Sequence, residues 1–265
     1  MSNDDLFKFE HRWETTMGLV FPGERVVFRD KDLFTEFSNK SWMELLLYGV
    51  TGREFSKKQI QLFDSIWTIC TSYPDPRIWN NRVSSLAGTA RSTACLAVGA
   101  SSAMSEALLY GRRPDIRAID FFYRAQEQIE NNKELSEIVL SELKNFRAIF
   151  GYARPIVKED ERIKPLVELA HKLGLANGKY LKLVFDVEKI LSEGRWRKKA
   201  NIAAVAAGLA ADQGLTPREY YNYLLVSFSI GFTTCFIDAA EKPENMFFPF
   251  RCNRIKYEGS SIREW

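Results

Sequence analysis

Helical periodicity from Ser41 onward is the feature that most constrains what this 265-residue chain can fold into. Apolar side chains recur every three or four residues in segments that Gly, Pro and polar turns separate, and this spacing predicts amphipathic helices. Ser41 and Glu44 predict a capping box at the start of the first helix, with Gly49 near its end. A second helix follows Ser56, and its apolar face has Ile60, Phe63, Ile66 and Trp67. These segments predict an all-α fold.

Other segments extend this prediction, with one exception at the N-terminus. Long amphipathic helices are predicted from Asp115 to about Asn131 and over Leu135–Phe150. The small-residue-rich stretch Val83–Met104 predicts helices whose backbones pack closely against neighbours, which favours a central position. The exception is a turn at Phe21–Gly23 followed by the β-like run Arg25–Phe28, which predicts a small hairpin.

One uncharged run, Tyr223–Ile237, requires a membrane test. It is shorter than the roughly 20 residues that a spanning helix needs. Charged side chains also stand close to both ends, at Arg218, Glu219 and Asp238. We therefore expect a buried central helix and no membrane partner.

Composition excludes several classes of protein. A hydrophobic fraction of 46% and a charged fraction of 27% are ordinary for a soluble globular protein. A net charge of +3 without a dense Lys/Arg block argues against nucleic acid as a partner. The acidic, mixed N-terminus does not resemble a signal peptide. The cysteines are far apart and predict buried free thiols in a reducing, cytoplasmic compartment; they are Cys70, Cys95, Cys235 and Cys252. No metal-ligand spacing is present, so we expect no metal site.

The loop Phe150–Arg162 has the composition of an anion site. It is interrupted by a proline and carries Arg154, Lys158 and Arg162 among three acidic residues. Guanidinium groups grip carboxylates with two parallel hydrogen bonds, so the two arginines are candidate ligands for an anionic substrate. The alternative is that they form salt bridges within the loop, and the sequence does not decide between the two.

A second polar loop, Ser72–Asn81, also combines charged, amide and aromatic side chains. Loops that do so often carry binding or catalytic residues. Asp75 is a candidate base, Arg77 can bind an anion, and Trp79 can stack on a planar group beside Asn80. The alternative is a cluster of Asx-turns and caps that only shapes the loop.

Five segments together resemble the citrate synthase superfamily, and in particular its compact citryl-CoA-lyase-like members. They occur in the order typical of that superfamily and cover nearly the whole chain from about residue 11. The segments are WETTMGLVFPGERVVFRDKDL, SWMELLLYGVTGREFSKKQIQLF, FGYARPIVKEDER, KKANIAAVAAGLAADQGLTPREYYNYLLVSFSIG and the tail PFRCNRIKYEGSSIREW.

The resemblance also shows what this chain lacks. Superfamily members use two histidines and an aspartate to enolise an acyl-CoA and polarise an oxoacid carbonyl. The first histidine position falls on Tyr110, or on Ser101 with different gapping, and the second falls on Ala153. The aspartate position falls on Ala203, and an arginine of the penultimate helix falls on Phe228. Alanine transfers no proton, so the usual machinery is missing.

The resemblance and the polar loops together suggest replacements. Tyr110, followed by Arg112 and Arg113, is a candidate to polarise a carbonyl or donate a proton; the alternative is a packing residue. Asp75, near the position of a third superfamily histidine, is a candidate replacement base. The candidate substrate-binding residues are Arg162, Arg154, Arg77, Trp79, Asn80, Arg112, Arg251 and Arg254. A basic cluster where the superfamily binds the phosphates of coenzyme A adds Arg197, Lys198 and Lys199, although a solvated surface is an equal alternative.

Three functions remain open. The first is a citrate-synthase-like enzyme that acts on an anionic carboxylate or acyl thioester, making or breaking a C–C bond with replaced groups. The second is a catalytically silent protein that binds a carboxylate or coenzyme A. The third is an enzyme of another reaction type, such as cyclisation or elimination. We expect no permanent cofactor, with a coenzyme A thioester as a candidate substrate. The resemblance also implies a homodimer, with a large helical domain of residues 1–110 and 200–265 and a smaller one of residues 111–199.

Overall fold

The computed structural model describes residues 4, 7–109, 111–154, 159–244, 246 and 251–261. The candidate Tyr110 and the loop residue Lys158 therefore lie outside the described residues, and so does the side chain of Cys252. The described part is mostly helical with one small sheet, which confirms the predicted fold class.

The strands are β1 (Gly18–Phe21), β2 (Arg25–Phe28) and β3 (Lys31–Asp32). The first helices are α1 (Leu33–Glu36), α2 (Trp42–Thr51), α3 (Lys57–Ile69), α4 (Trp79–Thr89), α5 (Ala94–Met104) and α6 (Arg113–Glu130). The later helices are α7 (Leu135–Phe146), α8 (Ile163–Leu173), α9 (Lys179–Glu193), α10 (Ile202–Asp212), α11 (Pro217–Leu224) and α12 (Ser229–Glu241). A 3₁₀ turn covers Cys252–Arg254.

The predicted N-terminal hairpin is confirmed, and it carries an additional strand. β1 and β2 pair antiparallel with Gly18 opposite Phe28, and β3 adds to the other side of β2. Gly18 has φ +150°, and a β-carbon there would overlap the carbonyl oxygen of Val27. Only glycine fits this position, which therefore fixes the start of the hairpin.

The first predicted helix begins as expected and ends later. In α2 the Ser41 side chain accepts from the Glu44 N–H and the Glu44 carboxylate accepts from the Ser41 N–H, so the capping box is confirmed. The helix ends at Gly52, whose φ of +71° is a left-handed cap. Gly49 lies in the last turn of the helix, near its end as predicted, and packs against the ring of Phe28, while Gly52 forms the cap.

The chain packs as two compact units. Unit 1 contains residues 1–69 and 116–223, and unit 2 contains residues 70–115 and 224–265. The boundaries of these units differ from those of the predicted large and small domains. The predicted domains concern the parts that move on ligand binding, and they stay a prediction.

Close backbone approach shapes unit 2. A β-carbon on Gly88 of α4 would lie 2.6 Å from the Phe236 carbonyl oxygen of α12, and one on Gly231 would overlap the carbonyl of Ser72. These contacts confirm the backbone-close packing predicted for the small-residue stretch. The predicted central position is wrong for α5, because among its side chains only Ala97 and Ser101 are buried.

The apolar segment around Tyr223–Ile237 is also different from the prediction. It forms two helices, α11 and α12, with a turn at residues 225–228. Ile230 and Ile237 of α12 are exposed by 62% and 49%, so the predicted buried central helix is wrong for this face. By length and composition alone, the stretch Pro217–Glu241 is apolar enough to cross a membrane, a test that core helices also pass.

The described cysteines are free thiols. Cys70 and Cys235 are buried as predicted, whereas Cys95 lies exposed on α5. The prediction of a buried thiol is therefore wrong for Cys95, because the face of α5 that carries it faces outward.

Candidate functional site

The loop that begins at Phe150 is held against the N-terminal end of α10 in unit 1. Tyr152 and Ala200 form an isolated antiparallel bridge, and the Ala153 N–H donates to the Lys199 carbonyl over 2.8 Å. Gly151 has φ +90°, and a β-carbon there would lie 2.7 Å from the β-carbon of Ala204. The glycine therefore allows the loop to approach α10 closely.

Asn201 joins the two alanines that occupy positions where catalytic residues would be expected. Its side-chain amide donates to the Ala153 carbonyl over 3.0 Å, and its side-chain oxygen accepts from the Ala203 N–H over 2.9 Å. Ala153 has φ +78°, a left-handed conformation that is unusual for a residue with a β-carbon. Asn201 thus links the backbone of Ala153 to the backbone of Ala203, and neither alanine side chain can transfer a proton.

Arg162 is paired with a buried carboxylate of its own loop. Its Nε and Nη2 each donate to Asp160 over 2.8 Å, and the side chain of Asp160 is fully buried. Asp160 also accepts from the Ile202 N–H at the start of α10. Burial by itself would raise the pKa of Asp160, but the hydrogen bonds and charge of Arg162 and the Ile202 N–H hold it below its ordinary value.

Arg154 is likewise engaged within the loop. Its Nη1 donates to the Glu161 carboxylate over 2.5 Å and lies 3.6 Å from Asp160. Intramolecular salt bridges, the alternative weighed for both loop arginines, are therefore present. A ligand carboxylate would reach Arg162 or Arg154 by exchanging places with one of these acidic side chains.

Asp160 leads to a prediction about acid stability. Because its pKa in the folded protein is lowered, the group contributes stability above its unfolded pKa, near 3.9, and that stability is lost as the pH falls through the folded value. We expect Asp160→Asn to flatten the decline in the free energy of unfolding below about pH 4. Urea unfolding at a series of pH values measures this, with Glu168→Gln on the exposed side of α8 as the control. An unchanged pH profile in Asp160→Asn would contradict the assignment.

The basic cluster before α10 lies largely at the surface. Arg197 and Lys199 are exposed and Lys198 is half-buried. Lys199 pairs with Glu159 of the loop, and this pairing raises the pKa of the lysine. The cluster's predicted role in binding coenzyme A stays a prediction.

The polar loop of residues 72–81 lies in unit 2, and in it the Asp75 carboxylate is hydrogen-bonded to Arg77. The Asp75 carboxylate accepts from the Arg77 backbone N–H over 2.9 Å, which is an Asx-turn, and from its guanidinium over 2.6 Å. The hydrogen bonds from the Arg77 side chain, then from its backbone, lower the pKa of Asp75 to about 2. A carboxylate with that pKa is a weak base, so this geometry does not favour proton abstraction by Asp75.

The amides of this loop are buried and hold its shape. Asn81 donates to the carbonyls of Tyr73 and Asp75, and Asn80 donates to the Ser105 hydroxyl over 3.1 Å. Trp79 donates from its indole N–H to the Leu109 carbonyl. Asn80 is only 2% exposed, so it positions the loop in this conformation and does not reach solvent.

Arg112 is buried in unit 2, in a polar cluster that the sequence did not predict. Its guanidinium donates to Asp115 over 2.8 Å and to the Ser227 hydroxyl, and it lies 3.4 Å above the ring of Phe228. Ser227 is itself fully buried, and its carbonyl accepts from the Thr71 hydroxyl. Substrate binding by Arg112 would require these bonds to open.

The remaining candidates lie apart from these clusters. Ser101 is the exception: it is fully buried within α5, and its carbonyl accepts from the Ser105 hydroxyl, to which Asn80 donates. Arg251 and Arg254 are exposed in the C-terminal segment. His11 and His171 are exposed. Among residues 7–109, 111–154 and 159–244, no group of three or more His, Cys, Asp or Glu side chains is placed to hold a metal ion.

The fold is similar to the folds of solved citrate-synthase-like proteins. The structure matches citryl-CoA lyase from Hydrogenobacter thermophilus with a TM-score of 0.82 and 18% identity, over 96% of this chain and 97% of the lyase. This confirms the resemblance to the citrate synthase superfamily at the level of the fold. No protein-family model matches the sequence, and no curated protein matches it.

Two longer proteins share the same fold. An ATP citrate lyase mutant from Methanosaeta concilii, solved with (3S)-citryl-CoA, matches with a TM-score of 0.75 and 15% identity over 98% of this chain. A citrate synthase from Thermoplasma acidophilum, solved with carboxymethyl coenzyme A and oxaloacetate, matches with a TM-score of 0.64 and 18% identity over 85% of this chain. This chain spans 45% of the former and 59% of the latter.

Proposed function

We propose that this chain is a citrate-synthase-like enzyme that acts on a small anionic carboxylate, an acyl-CoA thioester or both. It makes or breaks a C–C bond with groups other than the usual two histidines and aspartate. The observation that carries the proposal is the likeness to citryl-CoA lyase over almost the whole length of both chains. Similar structures contain citryl-CoA, or carboxymethyl coenzyme A with oxaloacetate, so ligands of this class are the first to test.

The loop arginines and the basic cluster supply the charge that such ligands need. Arg162 and Arg154 bind the ligand carboxylate in place of their present partners, Asp160 and Glu161. Each arginine thereby exchanges one carboxylate for another. Arg197 and Lys199 face solvent and suit the phosphates of coenzyme A. Tyr110 remains the stronger catalytic candidate, because the low pKa of Asp75 makes that carboxylate a weak base.

The proposal is tested by calorimetric titration with acetyl-CoA, coenzyme A, oxaloacetate and citrate, followed by assays for formation or cleavage of a C–C bond. We expect binding of at least one of these ligands and at least about tenfold weaker binding in Arg162→Ala, because the bidentate grip is lost. Arg162→Lys keeps the positive charge but cannot donate two parallel hydrogen bonds. It therefore separates the contribution of charge to binding from the contribution of the bidentate geometry. Tyr110→Phe is expected to lower turnover and leave binding intact. The absence of binding in the folded wild type would overturn the proposal.

The second candidate is a catalytically silent binding protein, and a specific observation favours it. Asn201 holds the backbones of both Ala153 and Ala203, and these are two positions where the resemblance places proton-transfer groups. A protein of this kind binds the same anions and turns none of them over. Binding of these anions without any turnover in the wild type selects this candidate over the enzyme.

We also propose that the chain forms a homodimer through α5 and α12. From Ala94 to Met104, α5 has no charged residue, yet most of its side chains are exposed, with Leu96 exposed by 67%. Exposed apolar faces of this kind mark interaction sites. On α12, Ile230 and Ile237 add exposed apolar surface.

Leu96→Glu tests the dimer. Because the new carboxylate would be buried against an apolar surface, we expect at least about a tenfold rise in the dimer dissociation constant, measured by sedimentation equilibrium. Leu140→Glu is the matched control, since this leucine of α7 is exposed by 51% in unit 1. A monomeric wild type, or an equal effect of both substitutions, would contradict the proposal.

A further inference from the structure

A cavity of about 260 Å³ lies in unit 1, beside the small sheet. Its apolar walls come from Phe37, Tyr48, Phe55 and Ile60. Among the described residues, those that line the cavity belong to unit 1, and none of them lies in the loop that begins at Phe150 or in the basic cluster. The function proposed above therefore assigns this cavity no role.

Charges of both signs line this cavity. Lys31 and Lys40 contribute two ammonium groups, and Glu36, Glu44 and Glu54 contribute three carboxylates. Lys31 pairs with Glu54, and the Lys40 ammonium lies 3.3 Å from Glu44. Glu44 and Glu36 also accept backbone N–H groups, so Lys31, Lys40 and Glu54 are the charged groups that can exchange their partners for the opposite charge of a ligand.

Tyr48 makes one wall suitable for an ammonium group. The Lys31 ammonium already lies 5.2 Å from the centre of the Tyr48 ring, a cation–π distance. The phenol donates a hydrogen bond to Asp30, and this bond raises the pKa of Tyr48 to about 12, so the ring stays neutral. The Tyr48 ring and the Glu54 carboxylate thus form a place for an ammonium group, which the Lys31 ammonium fills in this structure.

Size and charge together define the ligand class. A volume of about 260 Å³ holds a molecule of about nine water-sized groups. A simple anion would meet three carboxylates here, a simple cation would meet two ammonium groups, and a neutral apolar molecule would desolvate the ion pairs. A zwitterion with an apolar side chain satisfies both signs of charge and the aromatic walls.

We infer that this cavity binds a free α-amino acid with an apolar side chain. The ligand ammonium takes the place of the Lys31 ammonium against Tyr48 and the carboxylate of Glu54, and the ligand carboxylate pairs with the displaced Lys31 or with Lys40. The apolar side chain of the amino acid contacts Phe37 and Phe55.

The test is calorimetric titration of the full chain with L-leucine and L-phenylalanine. We expect saturable 1:1 binding of at least one of them. N-acetyl-L-leucine lacks the ammonium group and isoamylamine lacks the carboxylate, and both are expected to bind at least about tenfold more weakly. Equal binding of either analogue would overturn the zwitterion as the ligand class.

Variants locate the site. Glu54→Gln and Lys40→Gln change exposed charges and are expected to weaken binding at least about tenfold. Lys57→Gln removes an exposed lysine of α3 that does not line the cavity, and it is expected to leave binding unchanged. Unchanged affinity in both cavity variants, or no saturable binding by either amino acid up to about 10 mM, would overturn the inference.

Discussion

Arg112→Met is expected to lower the free energy of unfolding by about 3–5 kcal/mol, because it removes the buried guanidinium that pairs with Asp115. The guanidinium is almost fully buried, with its side chain 2% exposed, and it also donates to Ser227 and stacks on Phe228. Urea unfolding followed by circular dichroism measures the change. Arg77→Met is the matched control, because that guanidinium is 86% exposed in its pair with Asp75. A surface pair of that kind contributes at most about 1 kcal/mol.

A double substitution separates a lost counter-charge from lost packing. Removing both charged partners by Arg112→Met with Asp115→Leu is expected to recover much of the stability, because the carboxylate that has lost its guanidinium partner is removed as well. If the double variant is as unstable as Arg112→Met alone, the cost arises from lost packing on Phe228. A loss below about 1 kcal/mol in Arg112→Met would contradict the buried pair itself.

Gly231→Ala is expected to cost about 3 kcal/mol or more, at the upper end of the range for overpacking. A β-carbon at this position of α12 would overlap the carbonyl group of Ser72, and a backbone carbonyl cannot move aside as a flexible side chain can. Thermal unfolding measures the effect. Thr234→Ala, on the exposed side of the same helix, is the control and is expected to change stability by less than about 0.5 kcal/mol. Equal melting temperatures for Gly231→Ala and the wild type would show that α12 can shift away from Ser72.

Local features of the fold could be predicted, because their causes lie within a few residues. The capping box of Ser41 and Glu44 and the long helix Arg113–Glu130 both follow from short-range spacing. The pairing of Arg112 with Ser227 could not be predicted, since the two residues are 115 positions apart and no local pattern relates them. The exposure of one face of α5 could not be predicted for a similar reason. Small apolar residues indicate close packing, but they do not indicate which surface they pack against.

In the candidate site, too, local contacts could be predicted from the sequence and contacts between distant segments could not. The sequence suggested that Arg162 either binds an anion or pairs within its loop, and the structure shows the pair with Asp160, two residues away. It also suggested that the loop around Asp75 is either a site or an Asx-turn, and the turn is present. The role of Asn201 was not predicted, because its contact with Ala153 depends on how the loop packs against α10.

The conformation of Ala153 has a consequence for protein engineering. A left-handed backbone costs an alanine about 1–2 kcal/mol that a glycine would not pay, yet the bonds from Asn201 and to Lys199 hold it in place. The direction of the side chain at this position is therefore set by the surrounding backbone and does not depend on what the side chain is. The backbone around residue 153 therefore fixes in advance where a new side chain would point. Ala153→His together with Ala203→Asp could introduce proton-transfer groups here without remodelling the loop.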